Sequence, residues 1–378
     1  MKIIVDENIP QAREAFCSFG EVAFLAGRDI TNDILIDADI LLIRSITKVD
    51  EFLLKGTKVK FIATATAGTD HIDKAYLANN GITFADAAGC NSFSVVEYFA
   101  GAVSRIFSKY NFSFAGKTLG VVGIGNVGSK VVKFGKALGF NVLMNDPPLE
   151  RKSGSQDFVT LNEILDCDVI TLHVPLNKSG IDKTVHLIDE EKLKHVKSGT
   201  VLINASRGSV VDNRALKNRL QVKNDLITVF DVWENEPALD FELLEKVNFG
   251  SVHIAGYSME GKVNGTEIIY NRLCEYLNTF PIWKPKYPSI EKKEISVTRE
   301  NSFEYLLDQI ITQIYDISED DKLLRKGLDM ENEKRIKYFD LLRKTYRVRR
   351  EFNNYTIRLN FLDSEIKQKL ETLRFNVK

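Results

Sequence analysis

Cysteine is scarce in this 378-residue sequence. Cys17, Cys90, Cys167 and Cys274 lie far apart, and no C-x-x-C occurs. That scatter excludes a zinc ribbon and a disulfide framework, so no metal is expected and a reduced, cytoplasmic setting is the default. No apolar run approaches the length that crosses a bilayer. The N-terminus, MKIIVDENIP, meets an acid too early for a signal peptide. No membrane contact is therefore expected. An excess of one charge is also missing: 51 basic residues face 52 acidic ones. A net charge of −1 gives no global field for nucleic acid. Neither repeats nor low-complexity segments occur. Prolines are few, and Pro281, Pro285 and Pro288 cluster in one stretch that reads as a linker.

What the sequence does contain centres on Thr118 to Asp146. Thr118 to Val122 are mostly apolar and read as a buried strand. Gly123, Gly125 and Gly128 follow at G-x-G-x-x-G spacing, then a helical period, then a second strand from Asn141 to Met144, and finally Asp146. In this order the glycines permit a tight turn, a close pyrophosphate and close helix packing. The helix N-terminus would hold the phosphates. Asp146 stands about where a carboxylate meets the adenosine ribose, and there it favours NAD over NADP.

Strand and helix patterns alternate on both sides of this stretch. Ile3 to Val5, Ile40 to Ile43, Phe61 to Ala63 and Ile82 to Phe84 predict a first parallel sheet. Val169 to His173, Thr200 to Asn204, Ile227 to Phe230 and Ser251 to His253 continue the second. Asn91 to Tyr110 and Glu260 to Leu277 predict long helices linking the two. Beyond the prolines, Phe303 to Ile314 has helical spacing, while Lys293 to Thr298 and Tyr355 to Phe361 alternate like strands. The expected fold is α/β: two Rossmann-like doubly wound parallel-sheet domains, one flavodoxin-like, plus a small α+β C-terminal domain. The expected substrate domain is 1–95 with 257–285. Residues 96–256 would form the NAD-binding domain and 286–378 the third.

Ligands meet such sheets at the carboxyl ends of strands. His253 in SVHIAGYS ends a strand, and Glu236 in DVWENEP and Arg207 in INASRG each follow a strand end. An imidazole suits proton transfer near neutrality, a carboxylate behind it fixes its tautomer, and a guanidinium suits a substrate carboxylate. Arg44 and Ser45 in RSIT, and Thr66 in TATAGTD, follow strands of the first sheet. They suit an anionic substrate or ordinary helix capping equally well. The basic residues Arg343, Lys344, Arg347, Arg349 and Arg350 read as a solvated helix face or as a group near a phosphate, and least as a nucleic-acid patch.

The combination VVGIGNVG, HVPL, INASRG, DVWENEP and HIAGY resembles the D-isomer-specific 2-hydroxyacid dehydrogenases over residues 1 to about 280. VDENIP, RSITKV, TATAGTDHID, AAGCNSFSVVEY and the C-terminal module extend the likeness to essentially the whole chain, toward members that act on a phosphorylated hydroxy acid in pyridoxal phosphate synthesis. The resemblance implies Arg207, Glu236 and His253 as catalytic residues, with His253 the proton donor–acceptor. It implies Ser45, Thr66 and Tyr257 at the substrate, and Arg44 is added as a further anion contact. NAD would meet Asn126, Val127, Asp146, Val174, Ala205, Ser206, Arg207, Asp231 and Gly256, besides the three glycines. A homodimer formed through the C-terminal domain is also implied. Two alternatives stay open: another D-2-hydroxyacid dehydrogenase, such as one for phosphoglycerate, or an NAD(H)-sensing corepressor-like protein.

Overall fold

Short aliphatic runs separated by helical periods build two parallel sheets. The computed structural model describes residues 1–378 and divides into two units, Met1–Asn91 with Ser258–Ser289 and Ser92–Tyr257 with Ile290–Lys378.

In the first unit, β1 (Lys2–Asp6), β2 (Glu21–Leu25), β3 (Ile40–Ile43), β4 (Phe61–Thr64) and β5 (Thr83–Asp86) pair in the order β2-β1-β3-β4-β5, all parallel. This is the flavodoxin-like order. Alternate residues serve opposite cores. Ile3, Val5, Leu42 and Ala63 lie in one, and Ile4, Leu41, Ile43 and Ile62 in the other. Such two-sided burial explains why the strands read as continuous apolar runs. Helix Met259–Tyr276 closes the first core with Ile269, Tyr270 and Leu273.

In the second unit, β6 (Thr118–Val122), β7 (Asn141–Asn145), β8 (Val169–Leu172), β9 (Val201–Asn204), β10 (Ile227–Phe230) and β11 (Phe249–Gly250) pair in the order β11-β10-β9-β8-β6-β7. The order reverses between β6 and β8, at the glycine turn, where doubly wound sheets bind their ligands. Helix α1 (Ser92–Tyr110) is buried along most of its length, and α2 (Gly128–Leu138) packs Val131, Phe134 and Leu138 into the same core. Asp168 fastens β8 to β6: its Oδ2 accepts from the backbone N–H and hydroxyl of Thr118 at 2.8 and 2.9 Å.

The C-terminal residues form a three-stranded parallel sheet from β12 (Glu294–Val297), β13 (Thr356–Leu359) and β14 (Asn376–Val377), with β13 central. Helices Phe303–Thr312, Ile317–Arg325, α3 (Asn332–Lys344) and Ser364–Thr372 accompany it. Residues 290–378 cluster with the six-stranded sheet in one unit, and α1 faces helix Phe303–Thr312 through Arg105 and Ser104, both bonded to Asp308.

Three local expectations change. The strand placed at Ser251 to His253 ends at Gly250, which leaves His253 in the loop beyond it. The sheet-edge strand β2 and the two-residue β14 were not foreseen. The basic run is not one solvated face, because Arg349 and Arg350 are 4% and 8% exposed.

Asp168→Ala removes two acceptor contacts at the start of β6. It should cost about 1–3 kcal/mol in urea unfolding, whereas an unchanged midpoint would show that Thr118 finds other partners.

Candidate active site

The glycine turn is built by close approach. A Cβ on Gly128 would run into the Gly123 carbonyl, so α2 can start there only with glycine. A Cβ on Gly125 would meet nothing within 4 Å, so the backbone there is open to a ligand. Asn126 is exposed, and Val127 caps α2. Asp146 follows β7 and ties the turn together: Oδ2 accepts from the Ile124 N–H at 2.7 Å and Oδ1 from the Leu149 N–H at 2.9 Å. An open backbone, a helix N-terminus and an acid bonded to the turn at Ile124 fit a dinucleotide.

Arg207 lies in a turn wrapped by Asn204, the last residue of β9. The Asn204 amide oxygen accepts from the Ser206 N–H and hydroxyl, and its NH2 donates to the Arg207 carbonyl at 3.0 Å. Ala205 is partly buried and Ser206 is buried. Arg207 Nη1 donates to the Ser206 carbonyl at 2.8 Å. Gly208 then passes so close to the Trp233 carbonyl that a Cβ could not fit. The Arg207 loop is thereby pressed against the loop that carries Glu236.

Glu236 and His253 meet directly, with His253 Nδ1 2.8 Å from Glu236 Oε2. The other carboxylate oxygen accepts from the Trp233 N–H at 2.7 Å. Burial alone would raise the Glu236 carboxyl. The charge and hydrogen bond of His253, the Trp233 N–H and the charge of Arg343 outweigh it and hold Glu236 below the usual glutamate value. His253 sits at φ 58°, a backbone region that side chains rarely adopt.

Asp231 holds it there. This residue is 1% exposed. Its Oδ1 accepts from Ser251 Oγ at 2.6 Å and the Ile254 N–H at 2.8 Å, and its Oδ2 accepts from the Ala255 N–H at 2.9 Å. The backbone N–H of His253 donates to the Asp231 carbonyl at 2.7 Å. Tyr98 donates to Ser251 at 2.9 Å, and Trp233 Nε1 donates to the Ser251 carbonyl at 2.9 Å. Gly256 and Tyr257 follow, and the Tyr257 hydroxyl accepts from Arg343 Nη2 at 3.1 Å.

Two other histidines of this unit have different environments. Desolvation pushes His173 down to about 3, so it stays neutral beside Thr171, just before Val174. His186 bridges Glu234 at 2.7 Å and Asp212 at 3.6 Å. These three could group around a metal, but both ring nitrogens already face a carboxylate.

Arg44, Ser45 and Thr66 belong to the other unit. Arg44 Nη1 donates to the Asn8 carbonyl at 3.2 Å, Ser45 is exposed, and the Thr66 hydroxyl lies 2.8 Å from that of Thr64.

Residues 101–255 match the family model of the D-isomer specific 2-hydroxyacid dehydrogenase NAD binding domain, and residues 287–373 match a domain of unknown function. The erythronate-4-phosphate dehydrogenase of Proteus mirabilis is 43% identical over 365 residues, 94% of each chain. That of Hahella chejuensis is 40% identical over 100% of this chain and 99% of its own. The chain belongs to the erythronate-4-phosphate dehydrogenase family. Among solved structures, NAD+-bound 3-phosphoglycerate dehydrogenase of Entamoeba histolytica superposes with TM-score 0.63 and 26% identity, over 74% of this chain and 95% of its own. D-lactate dehydrogenase of Aquifex aeolicus, solved with NAD and lactic acid, gives 0.60 and 27%, over 74% and 96%.

Sequence reasoning missed Asn204, Trp233 and Ser251, whereas Arg343 was already named in the basic run read as a solvated helix face or a group near a phosphate. Only Asn204 carried a usable signal, an Asn at a strand end, which turns the chain by bonding its own backbone.

Replacing Asp231 by Ala strands three donors. It should cost about 3 kcal/mol and speed hydrogen exchange at the Ile254 and Ala255 amides, and unchanged exchange there would contradict the assigned role. Because Glu236 is held below its ordinary 4.5, its stabilising contribution is complete above that value and is lost as the pH falls through the lowered one. Urea unfolding between about pH 3 and 6 should therefore show a shallower acid loss in Glu236→Gln than in the wild type. Parallel curves would refute the shift.

Proposed function

We propose that the chain oxidises 4-phospho-D-erythronate to (R)-3-hydroxy-2-oxo-4-phosphooxybutanoate with NAD, in pyridoxal 5′-phosphate biosynthesis. One observation carries this reading. Identity of 40–43% to erythronate-4-phosphate dehydrogenases runs through nearly the whole chain, whereas the phosphoglycerate and lactate enzymes cover only 74% of it.

In this reading Arg207 grips the C1 carboxylate with its planar fork and polarises the adjacent carbonyl as it forms. Ionised Glu236 accepts from the Nδ1–H of His253, which leaves Nε2 as the basic nitrogen. Nε2 takes the C2 hydroxyl proton, and Glu236 stabilises the imidazolium. NAD, when bound, accepts the hydride. Ser45, Thr66, Tyr257 and Arg44 hold the remainder of the substrate. Gly123, Gly125, Asn126, Val127 and Gly128 take the pyrophosphate, and Asp146 takes the adenosine ribose. Val174, Ala205, Ser206, Asp231 and Gly256 line the nicotinamide half. Residues 1–95 and 257–285 act as the substrate domain and 96–256 as the NAD-binding domain. Residues 286–378 serve dimerisation of a cytoplasmic homodimer.

The test is NADH formation with 4-phospho-D-erythronate, 3-phosphoglycerate and D-lactate compared side by side. Highest kcat/KM on the erythronate is expected, and a preference for either other acid would sink the substrate assignment. His253→Ala should lower kcat about a hundredfold or more while still binding NADH. Near-normal turnover would remove His253 from proton transfer.

A further inference from the structure

The five basic residues between 343 and 350 are engaged differently. Arg347 pairs with Asp320 at 2.6 Å. Arg349 is buried, donates to the Ser94 and Ala255 carbonyls and lies over the Tyr315 ring at 4.6 Å. Arg350 donates to Asn354 at 3.1 Å. Lys344 is exposed at the end of α3. Arg343 stands apart. It forms no ion pair, its Nη2 makes one bond to the Tyr257 hydroxyl, and its Nε is buried without a hydrogen-bond partner. Tyr257 lies in the HIAGY segment that carries His253, and the Arg343 charge is felt at Glu236.

A largely buried guanidinium that forms no direct ion pair, with Glu236 acting on it only through its charge, is costly, and an arriving anion would offset that cost. Its planar fork suits phosphate, and the unused Nε–H supplies a donor on the edge of that fork. Arg207 already answers for the carboxylate end of a hydroxy acid, and the remaining anionic group is the phosphate. We propose that Arg343 is a specificity-determining residue, contributed by the C-terminal segment, that binds the phosphate monoester of the substrate oxidised at His253. The inference rests on the function proposed above and deepens it.

The experiment compares wild type, Arg343→Met and Arg343→Lys on 4-phospho-D-erythronate and on unphosphorylated D-erythronate. Selectivity, the ratio of the two kcat/KM values, should fall about tenfold to a hundredfold in Arg343→Met, mainly through KM for the phosphorylated acid. Arg343→Lys keeps the charge but not the fork, so it should lose less. It also provides the same reading should the methionine variant fold poorly. If both acids lose turnover in equal proportion, Arg343 only positions Tyr257, and the inference is overturned. A phosphate-selective wild type whose variants stay equally selective also overturns it, and leaves the proposed function standing. A wild type indifferent to the phosphate overturns the proposed function itself.

Discussion

One buried carboxylate fixes where the His253 imidazole can be. His253 occupies a left-handed backbone conformation, which an L-residue adopts only under constraint. Asp231 supplies that constraint by collecting Ser251, Ile254 and Ala255 around it, while its own carbonyl takes the His253 N–H. A carboxylate with three donors in a buried site is worth more than the same bonds at the surface. The loop therefore has one shape, and Glu236 meets the imidazole without any further adjustment.

Glu236 is placed by a second chain of contacts. Gly208 lets the Arg207 loop lie directly on the Trp233 carbonyl, and the Trp233 N–H then holds one oxygen of Glu236. Trp233 also reaches across to the Ser251 carbonyl. Three consecutive strand ends, β9, β10 and β11, are thus cross-tied by backbone and side-chain bonds. Geometry at the site depends on close packing of loops whose apolar residues Trp233, Val252 and Ile254 are buried in the core, with small residues and buried polar groups setting how the loops meet.

These ties mark the boundary of what was legible in the sequence. Strands with both faces buried announced themselves as continuous apolar runs, and the glycine spacing, Asp146, Arg207, Glu236 and His253 could be placed at strand ends. The edge strand β2 was not placed although four of the five residues of EVAFL are apolar, and at the sheet edge they are only partly buried. Asp231 read as a residue facing a ligand. Nothing local reveals that its carboxylate gathers the next loop about twenty residues on, since that depends on the parallel pairing of β10 with β11. The basic run misled for a similar reason. The helix stops at Lys344, so the later arginines leave its face: Arg349 and Arg350 are buried by separate partners, while Arg347 stays exposed beside Asp320.

The burial of so much charge near the C-terminus needs its own account. Arg374 bridges Glu97 of α1 and Glu351 at 3.2 and 2.8 Å, and both carboxylates are 2% exposed. Burial, then the neighbouring Glu351, pushes Glu97 upward, and Arg374 only partly offsets this. Such a cluster is poor evidence for stability, because apolar packing of equal volume would serve at least as well. What apolar packing would not supply is register. Glu97 also accepts from the Phe352 N–H, and Ser94 donates to Glu351, so the cluster fixes the 351–352 backbone against one turn of α1. Arg349 follows from that register, spanning the carbonyls of Ser94 and Ala255. Through Ala255 the C-terminal segment grips the same loop that Asp231 holds from the other side. The charges are therefore best understood as locating the C-terminal residues on the His253 loop to within a hydrogen bond, a task for which direction matters more than strength.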